Sequence, residues 1–163
     1  MSTEPAEQGR VSSGLMRRLT WVLVPVLALG ACSSKATTAT ISRSDYQAKA
    51  NAICSSMNAK GNSLQDPGTD QAKLKQVVDQ AIPITSDGVA QLRKLPEPKG
   101  DEATIEGFYA KLDKLIGDLK DESAALQAND LPKASQIATT FKTDSTAAND
   151  AANGYGLTVC GAG

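Results

Sequence analysis

The sequence predicts an all-α fold, a four-helix up-down-up-down bundle that follows a cleaved lipoprotein signal peptide and is closed by one disulfide bond. From residue 42 onward the apolar residues recur at helical spacing, with no sustained alternation of period two. Breaker residues interrupt this pattern at three places, which leaves four amphipathic helices with short connections. Cys54 and Cys160 lie towards the two ends of this helical region.

Length and charge exclude several classes of function. The chain has 163 residues, enough for one domain, with 17 Lys+Arg, 18 Asp+Glu and a net charge of -1. We expect no nucleic-acid partner, because no basic excess is available to neutralise a phosphate backbone. The chain has no histidine, which excludes Ser-His-Asp catalysis, Cys-His catalysis and histidine-based metal sites. We therefore expect no enzyme, no metal and no cofactor.

Residues 1–31 have the features of a signal peptide. Arg17 and Arg18 precede an apolar run of 13 residues from Leu19 to Ala31. A transmembrane helix needs roughly 17–25 apolar residues, so this run is too short to span a bilayer. A start at Met16 would give a conventional signal peptide, and general secretion fits the flanking residues better than twin-arginine export.

The end of the apolar run looks like a bacterial lipobox, Leu29-Gly30-Ala31-Cys32. In such a box the cysteine thiol takes the lipid and the small residues before it admit the signal peptidase. We therefore predict lipidation at Cys32 and a cell-membrane location, anchored on the extracytoplasmic side. The alternative is a plain secretory signal with a coincidental cysteine.

Residues 32–41 are small and polar, typical of a flexible tether, and residues 42–163 form the predicted bundle domain. Ser44 and Gln47 have capping-box spacing for the first helix, and Gly61-Asn62 would end it. Its apolar stripe consists of Tyr46, Ala50, Ile53 and Met57.

Asp66-Pro67-Gly68 predicts a turn before the second helix, which Thr69 or Asp70 would open. Pro83 falls opposite the apolar stripe of that helix, so we expect a kink from the solvent side rather than a helix end. The Pro96–Gly100 segment ends it.

Asp101 is the predicted cap of the third helix, and Asp130 with Pro132 marks the start of the fourth. Asn153-Gly154 would end the fourth helix. Its stripe is mostly alanine, so we expect its neighbours to approach closely but the helix to be the most weakly docked of the four. A three-helix body with a loose fourth helix is the alternative fold.

Setting Cys32 aside leaves two cysteines in an exported protein, which suggests a structural disulfide between Cys54 and Cys160. In an up-down-up-down bundle the C-terminal tail can fold back along the first helix to reach Cys54. The rival interpretation is two free thiols in a redox or metal site.

Two short motifs carry a resemblance. The Asn51-Ala-Ile-Cys54 segment and the Gly156-Leu-Thr-Val-Cys160-Gly161 tail resemble those of short, uncharacterised actinobacterial lipoproteins and small secreted proteins. A Leu-Pro-x-Pro segment, here from Leu95 to Pro98, often lies between them in that group. The resemblance implies a helical, disulfide-closed, envelope-exposed domain and no known activity.

Polar residues on the predicted helices have structural explanations. Lys114 and Asp118 have the spacing of an ion pair within one helix. The neighbouring acids predict a solvated charged face: Asp113, Asp118, Asp121 and Glu122. We expect the amides of Asn51 and Asn58 to bind the backbone of the C-terminal tail, and the hydroxyl of Tyr109 to face solvent.

These observations favour a non-enzymatic domain for binding or interaction in the cell envelope, with an envelope protein or a lipid as its partner. The alternative is a carrier of a small ligand or lipid, with a cavity between the helices. The residues expected to line such a cavity are Val77, Ala81, Phe108, Leu112 and Phe141.

Overall fold

The computed structural model describes residues 40–162, and within this range the chain is helical and has no strand. The all-helical prediction is therefore confirmed. The helices are α1 (Arg43–Asn62), α2 (Gln71–Leu92), α3 (Glu102–Gln127) and α4 (Leu131–Tyr155), followed by a 3-10 turn at Cys160–Ala162. The predicted signal peptide, its lipidation site Cys32 and all but the end of the tether lie outside the described residues.

Crossing a bilayer needs a helix that is both long and apolar, and none of the helices between residues 40 and 162 has both properties.

The first helix begins earlier than its predicted capping box. Ser42 is the N-cap, and its Oγ accepts a hydrogen bond of 3.1 Å from the backbone N of Asp45. The prediction of Ser44 as the cap is therefore wrong. Gln47, its expected partner, instead donates through Nε2 to the carbonyl oxygen of Tyr155, at 2.6 Å.

Two other helix starts follow the sequence signals. The carboxylate of Asp70 accepts from the backbone N of Ala72 and of Lys73, which confirms it as the cap of α2. Asp130 accepts from the backbone N of Lys133 in the same way and opens α4.

Asp101 occupies the N-cap position of α3 but makes no capping hydrogen bond with its side chain. Its carboxylate is used elsewhere, by Arg43 at the start of α1 and by Tyr155 at the end of α4. The backbone N of Gly100 donates a hydrogen bond of 2.8 Å to Oε2 of Glu102.

Pro83 lies inside α2 with its side chain exposed, and the helix continues to Leu92. The missing N–H and the ring therefore fall on the solvent side, as the sequence predicts.

The helices pack in an uneven pattern. α3 packs against α2 and α4, whereas α1 packs against α2 and the C-terminal 3-10 turn. No Cα atom of α1 comes within 8 Å of a Cα atom of α3 or α4. The core nevertheless includes residues of all four helices: Tyr46, Ala50, Val89, Leu92, Ile105, Phe108, Tyr109, Leu112, Ala148, Ala152 and Tyr155.

The expectation of a weakly docked fourth helix is not supported. α4 and α3 form the most extensive helix pair in the described chain, with Ala134, Ala148 and Ala152 buried. Small side chains let the two backbones approach along much of their length. α1 has the more limited helix–helix packing, and the C-terminal segment supports it instead.

Candidate functional site

The two cysteines of the helical domain lie side by side. The Sγ atoms of Cys54 and Cys160 are 2.06 Å apart, the distance of a disulfide bond, and the Cα atoms are 5.0 Å apart. The predicted pairing is therefore supported by the fold. It connects the middle of α1 to a tail that is 106 residues further along the chain.

Two amides of α1 hold this tail, as predicted. Asn51 accepts through Oδ1 from the backbone N of Val159 at 3.0 Å, and Asn58 donates through Nδ2 to the carbonyl oxygen of the same residue at 3.1 Å. Gly156, with φ of 85°, ends α4 in the left-handed conformation and turns the chain towards α1. The tail thus packs along α1.

A cleft of about 410 Å³ lies between the helices and the tail. A cleft of this volume falls in the range of about 300–1,000 Å³ that is usual for small-molecule sites. Four of the five residues proposed to line a cavity do so: Ala81, Phe108, Leu112 and Phe141. Val77 does not, and instead lies at a separate surface depression beside Ser63 and Gln80.

The lining of the cleft is mainly apolar with neutral polar groups. α3 contributes Phe108, Leu112 and Leu115, and α2 contributes Ala81 and Ile84. The polar side chains come mostly from α1 and α4: Asn58, Asn62, Ser145 and Asn149, with Thr85 from α2. None of the described residues that line the cleft is Asp, Glu, Lys or Arg.

Met57 links the cleft to the contact between α1 and α2. A Cβ atom at Gly88 would lie 2.0 Å from the Met57 Sδ, so the absence of a side chain at Gly88 makes room for this methionine. Met57 also lines the cleft, and its flexible thioether gives the wall an adaptable surface.

A tyrosine cluster joins the helices near the start of α1. The hydroxyls of Tyr46 and Tyr109 are 2.8 Å apart, and Tyr109 donates to the carbonyl oxygen of Leu92, also at 2.8 Å. Tyr46 must therefore donate to Tyr109. Burial is the main cause that raises the pKa of both tyrosines, so both stay protonated. The prediction that the Tyr109 hydroxyl faces solvent is wrong, because this residue is buried.

The same end of the domain contains a partly buried ion pair. Arg43 donates to Asp101 through both Nε, at 2.7 Å, and an η nitrogen, and the Tyr155 hydroxyl donates to the same carboxylate at 2.7 Å. Hydrogen bonds from Arg43 and then Tyr155 lower the pKa of Asp101. The ring of Tyr155 packs edge-on against Tyr46, with centroids 5.9 Å apart, which connects the two clusters.

The acids of α3 do not form one solvated face. Asp113 and Asp121 are exposed as predicted, but Glu122 is buried, and that burial raises its pKa. Asp118 is half-buried, and its Oδ2 has no hydrogen-bond partner. The expectation for these two residues is wrong, because α2 and α4 both pack against α3.

Lys114 forms its ion pair with Asp144 on α4, at 2.6 Å, and not with Asp118 as predicted. Burial and then the neighbouring Asp144 carboxylate raise the pKa of Asp118, whereas the Lys114 hydrogen bond lowers that of Asp144. Of these two carboxyl groups, Asp118 therefore has the higher pKa. None of these three residues lines the cleft.

Between residues 40 and 162, no group of acidic or cysteine side chains has the arrangement of a metal site. No protein-family model matches the chain, and no curated protein or solved structure has significant similarity to it.

Sequence reasoning missed the tyrosine cluster and the Arg43–Asp101 pair. A usable signal existed for the tyrosines. All three in the chain fall at helix positions that become buried, and a buried tyrosine hydroxyl requires a hydrogen-bond partner. For Arg43 no local signal existed, because its partner lies 58 residues away.

Proposed function

We propose that this protein is a membrane-anchored envelope lipoprotein whose helical domain binds a small apolar ligand in the cleft, without catalysing a reaction. The cleft between the helices is the observation that carries this proposal. It favours the carrier alternative over a domain that recognises another protein.

The surface of the described chain supports the same choice. Leu131, with an exposed fraction of 39%, is the large hydrophobic side chain that this part of the chain leaves exposed. A protein-docking site usually needs a contiguous apolar patch of several hundred Å². The cleft, by contrast, brings apolar side chains of several helices together in one concave site.

The geometry also supports alternating helix directions. The connections are short, and the start of α1, the end of α2, the start of α3 and the end of α4 all contribute to the tyrosine and Arg43–Asp101 clusters. An up-down-up-down order brings these four helix ends to one pole.

The anchor rests on the lipobox of the sequence, and the resemblance to actinobacterial lipoproteins agrees with it. Two acyl chains on Cys32 would hold the domain stably at the membrane, where a single chain is marginal. Labelled fatty acid should be incorporated into the wild-type chain and not into a Cys32→Ala variant. Unchanged detergent partitioning and precursor size in that variant would contradict the anchor.

Ligand binding is tested on the full-length protein isolated from bacterial envelopes. Mass spectrometry of the extract should find a small molecule that co-purifies with wild type. Ser145→Leu places a larger apolar side chain in the cleft, so we expect the ligand to be lost. Thr146→Leu is the matched control, since Thr146 is exposed and outside the cleft. Equal ligand content in both variants would refute a role for the cleft.

A further inference from the structure

The chemistry of the cleft specifies the class of ligand, an inference that rests on the proposed function. We propose that the cleft binds an uncharged, hydroxyl-bearing lipid with one apolar chain, of the monoacylglycerol or long-chain alcohol type, and discriminates against fatty acids and alkylamines of equal chain length.

The first argument is the absence of charge. Among the described residues that line the cleft, no side chain carries a carboxylate, ammonium or guanidinium group. An ionised head group bound there would lose water without gaining a counter-charge, and an uncompensated buried charge is strongly unfavourable. Lys114, on the α3 helix that forms one wall, is already paired with Asp144 and is not a lining residue.

The second argument is the chemistry of the polar side chains. Asn58 and Asn62 of α1 and Ser145 of α4 each have both a hydrogen-bond donor and an acceptor. The Nδ2 group of Asn58 donates one hydrogen bond to the carbonyl oxygen of Val159, and no described residue donates to the Oδ1 of Asn58. A hydroxyl group likewise both donates and accepts, so an alcohol or glycerol head group can satisfy these groups without carrying a charge.

The third argument is the arrangement of the walls. The apolar side chains of α3, Phe108, Leu112 and Leu115, recur at helical spacing along one wall. The amides of Asn58 and Asn62 come from α1, whose backbone stays more than 8 Å from that of α3. The distance between these apolar side chains of α3 and the two amides of α1 suits a molecule with one apolar and one hydroxylated end.

The test uses three photoreactive probes with the same alkyl chain and different head groups: a monoacylglycerol, a fatty acid and an alkylamine. Each is added at the same bilayer concentration to the full-length protein in lipid nanodiscs. After irradiation, mass spectrometry measures labelling of the peptides that line the cleft. We expect labelling by the monoacylglycerol to exceed labelling by either charged probe by about tenfold or more.

Variants connect the preference to the cleft. Ser145→Leu should remove most of the monoacylglycerol labelling, and Thr146→Leu should leave it unchanged. Asn62→Leu, at the exposed rim, removes an amide without altering the core, and should reduce the preference for the neutral probe several-fold. Circular dichroism establishes that each variant is folded.

The outcomes separate the two proposals. Cleft labelling by the fatty acid or the alkylamine that equals or exceeds labelling by the monoacylglycerol would overturn the inference and leave the proposed function intact. Labelling that stays at the Ser145→Leu level for all three probes would overturn both. A neutral preference that Asn62→Leu does not alter would refute recognition of the head group by the rim amide.

Discussion

The direction of the hydrogen bonds in the tyrosine cluster predicts unequal effects of two similar substitutions. Tyr109 donates to the Leu92 carbonyl oxygen and accepts from Tyr46. Tyr109→Phe therefore leaves the Tyr46 hydroxyl buried without an acceptor, whereas Tyr46→Phe leaves the Tyr109 donor satisfied. Phenylalanine preserves the ring in both cases, so changes in packing are small.

The magnitudes follow from the groups left unpaired. Tyr46→Phe removes one hydrogen bond and should lower the free energy of unfolding by about 0.5–1.5 kcal/mol. Tyr109→Phe strands a buried donor and should lower it by about 1–3 kcal/mol. The Leu92 carbonyl oxygen keeps its second donor, the backbone N of Leu95 at 3.0 Å, which limits the loss. The double variant should be no less stable than Tyr109→Phe alone, because it removes the stranded hydroxyl.

Denaturant unfolding of the four proteins, followed by far-ultraviolet circular dichroism, measures these differences and the coupling between the two sites. A loss for Tyr46→Phe that equals or exceeds the loss for Tyr109→Phe would refute the assigned donor order. Strict additivity in the double variant would show that the two hydroxyls do not interact.

Three further predictions concern stability. Joint substitution of Cys54 and Cys160 by alanine opens a 106-residue loop. It should lower the free energy of unfolding by up to about 4.7 kcal/mol and the melting midpoint by about 10–20 °C. A wild-type melting midpoint that does not change on reduction would contradict this prediction. Asp101 has a lowered folded-state pKa, so its stabilisation is present above the ordinary carboxyl pKa and is lost as pH falls through the folded value. Asp101→Asn should therefore flatten the acid side of a plot of melting midpoint against pH. A plot that is the same as that of wild type would exclude this contribution of Asp101. Glu122 has a raised folded-state pKa, so its ionisation lowers the stability of the fold as pH rises. Glu122→Gln should therefore stabilise the protein at neutral pH and not in acid. An equal effect on stability at both pH values would argue against a buried charge.

Much of the helical framework could be predicted from local sequence. Apolar spacing identifies the four helices, and Asp70 and Asp130 mark two of their starts because capping depends on backbone groups two or three residues away. The meeting of Cys54 and Cys160 and the amide contacts of Asn51 and Asn58 also agree with prediction. These contacts follow once the tail returns along the first helix.

The tertiary structure decided which partners the polar groups find. Asp101 has the sequence signature of a cap, but a guanidinium and a phenol that lie far away in the chain bind its carboxylate more favourably than a backbone N–H does. Glu122 and Asp118 look solvent-exposed on a helical wheel, yet their accessibility depends on the neighbouring elements. A wheel gives the angle of a side chain around its own axis and contains no information about what lies opposite.

The cleft also depends on tertiary structure. Four of the five residues predicted from the sequence line the cleft, but a stripe of such residues is equally compatible with a closed core. In the structure the Cys54–Cys160 pair and two asparagines bind the C-terminal tail to α1, and no Cα atom of α1 comes within 8 Å of one in α3 or α4. Local sequence determines the faces of the helices, whereas the distance between those faces is set by long-range contacts.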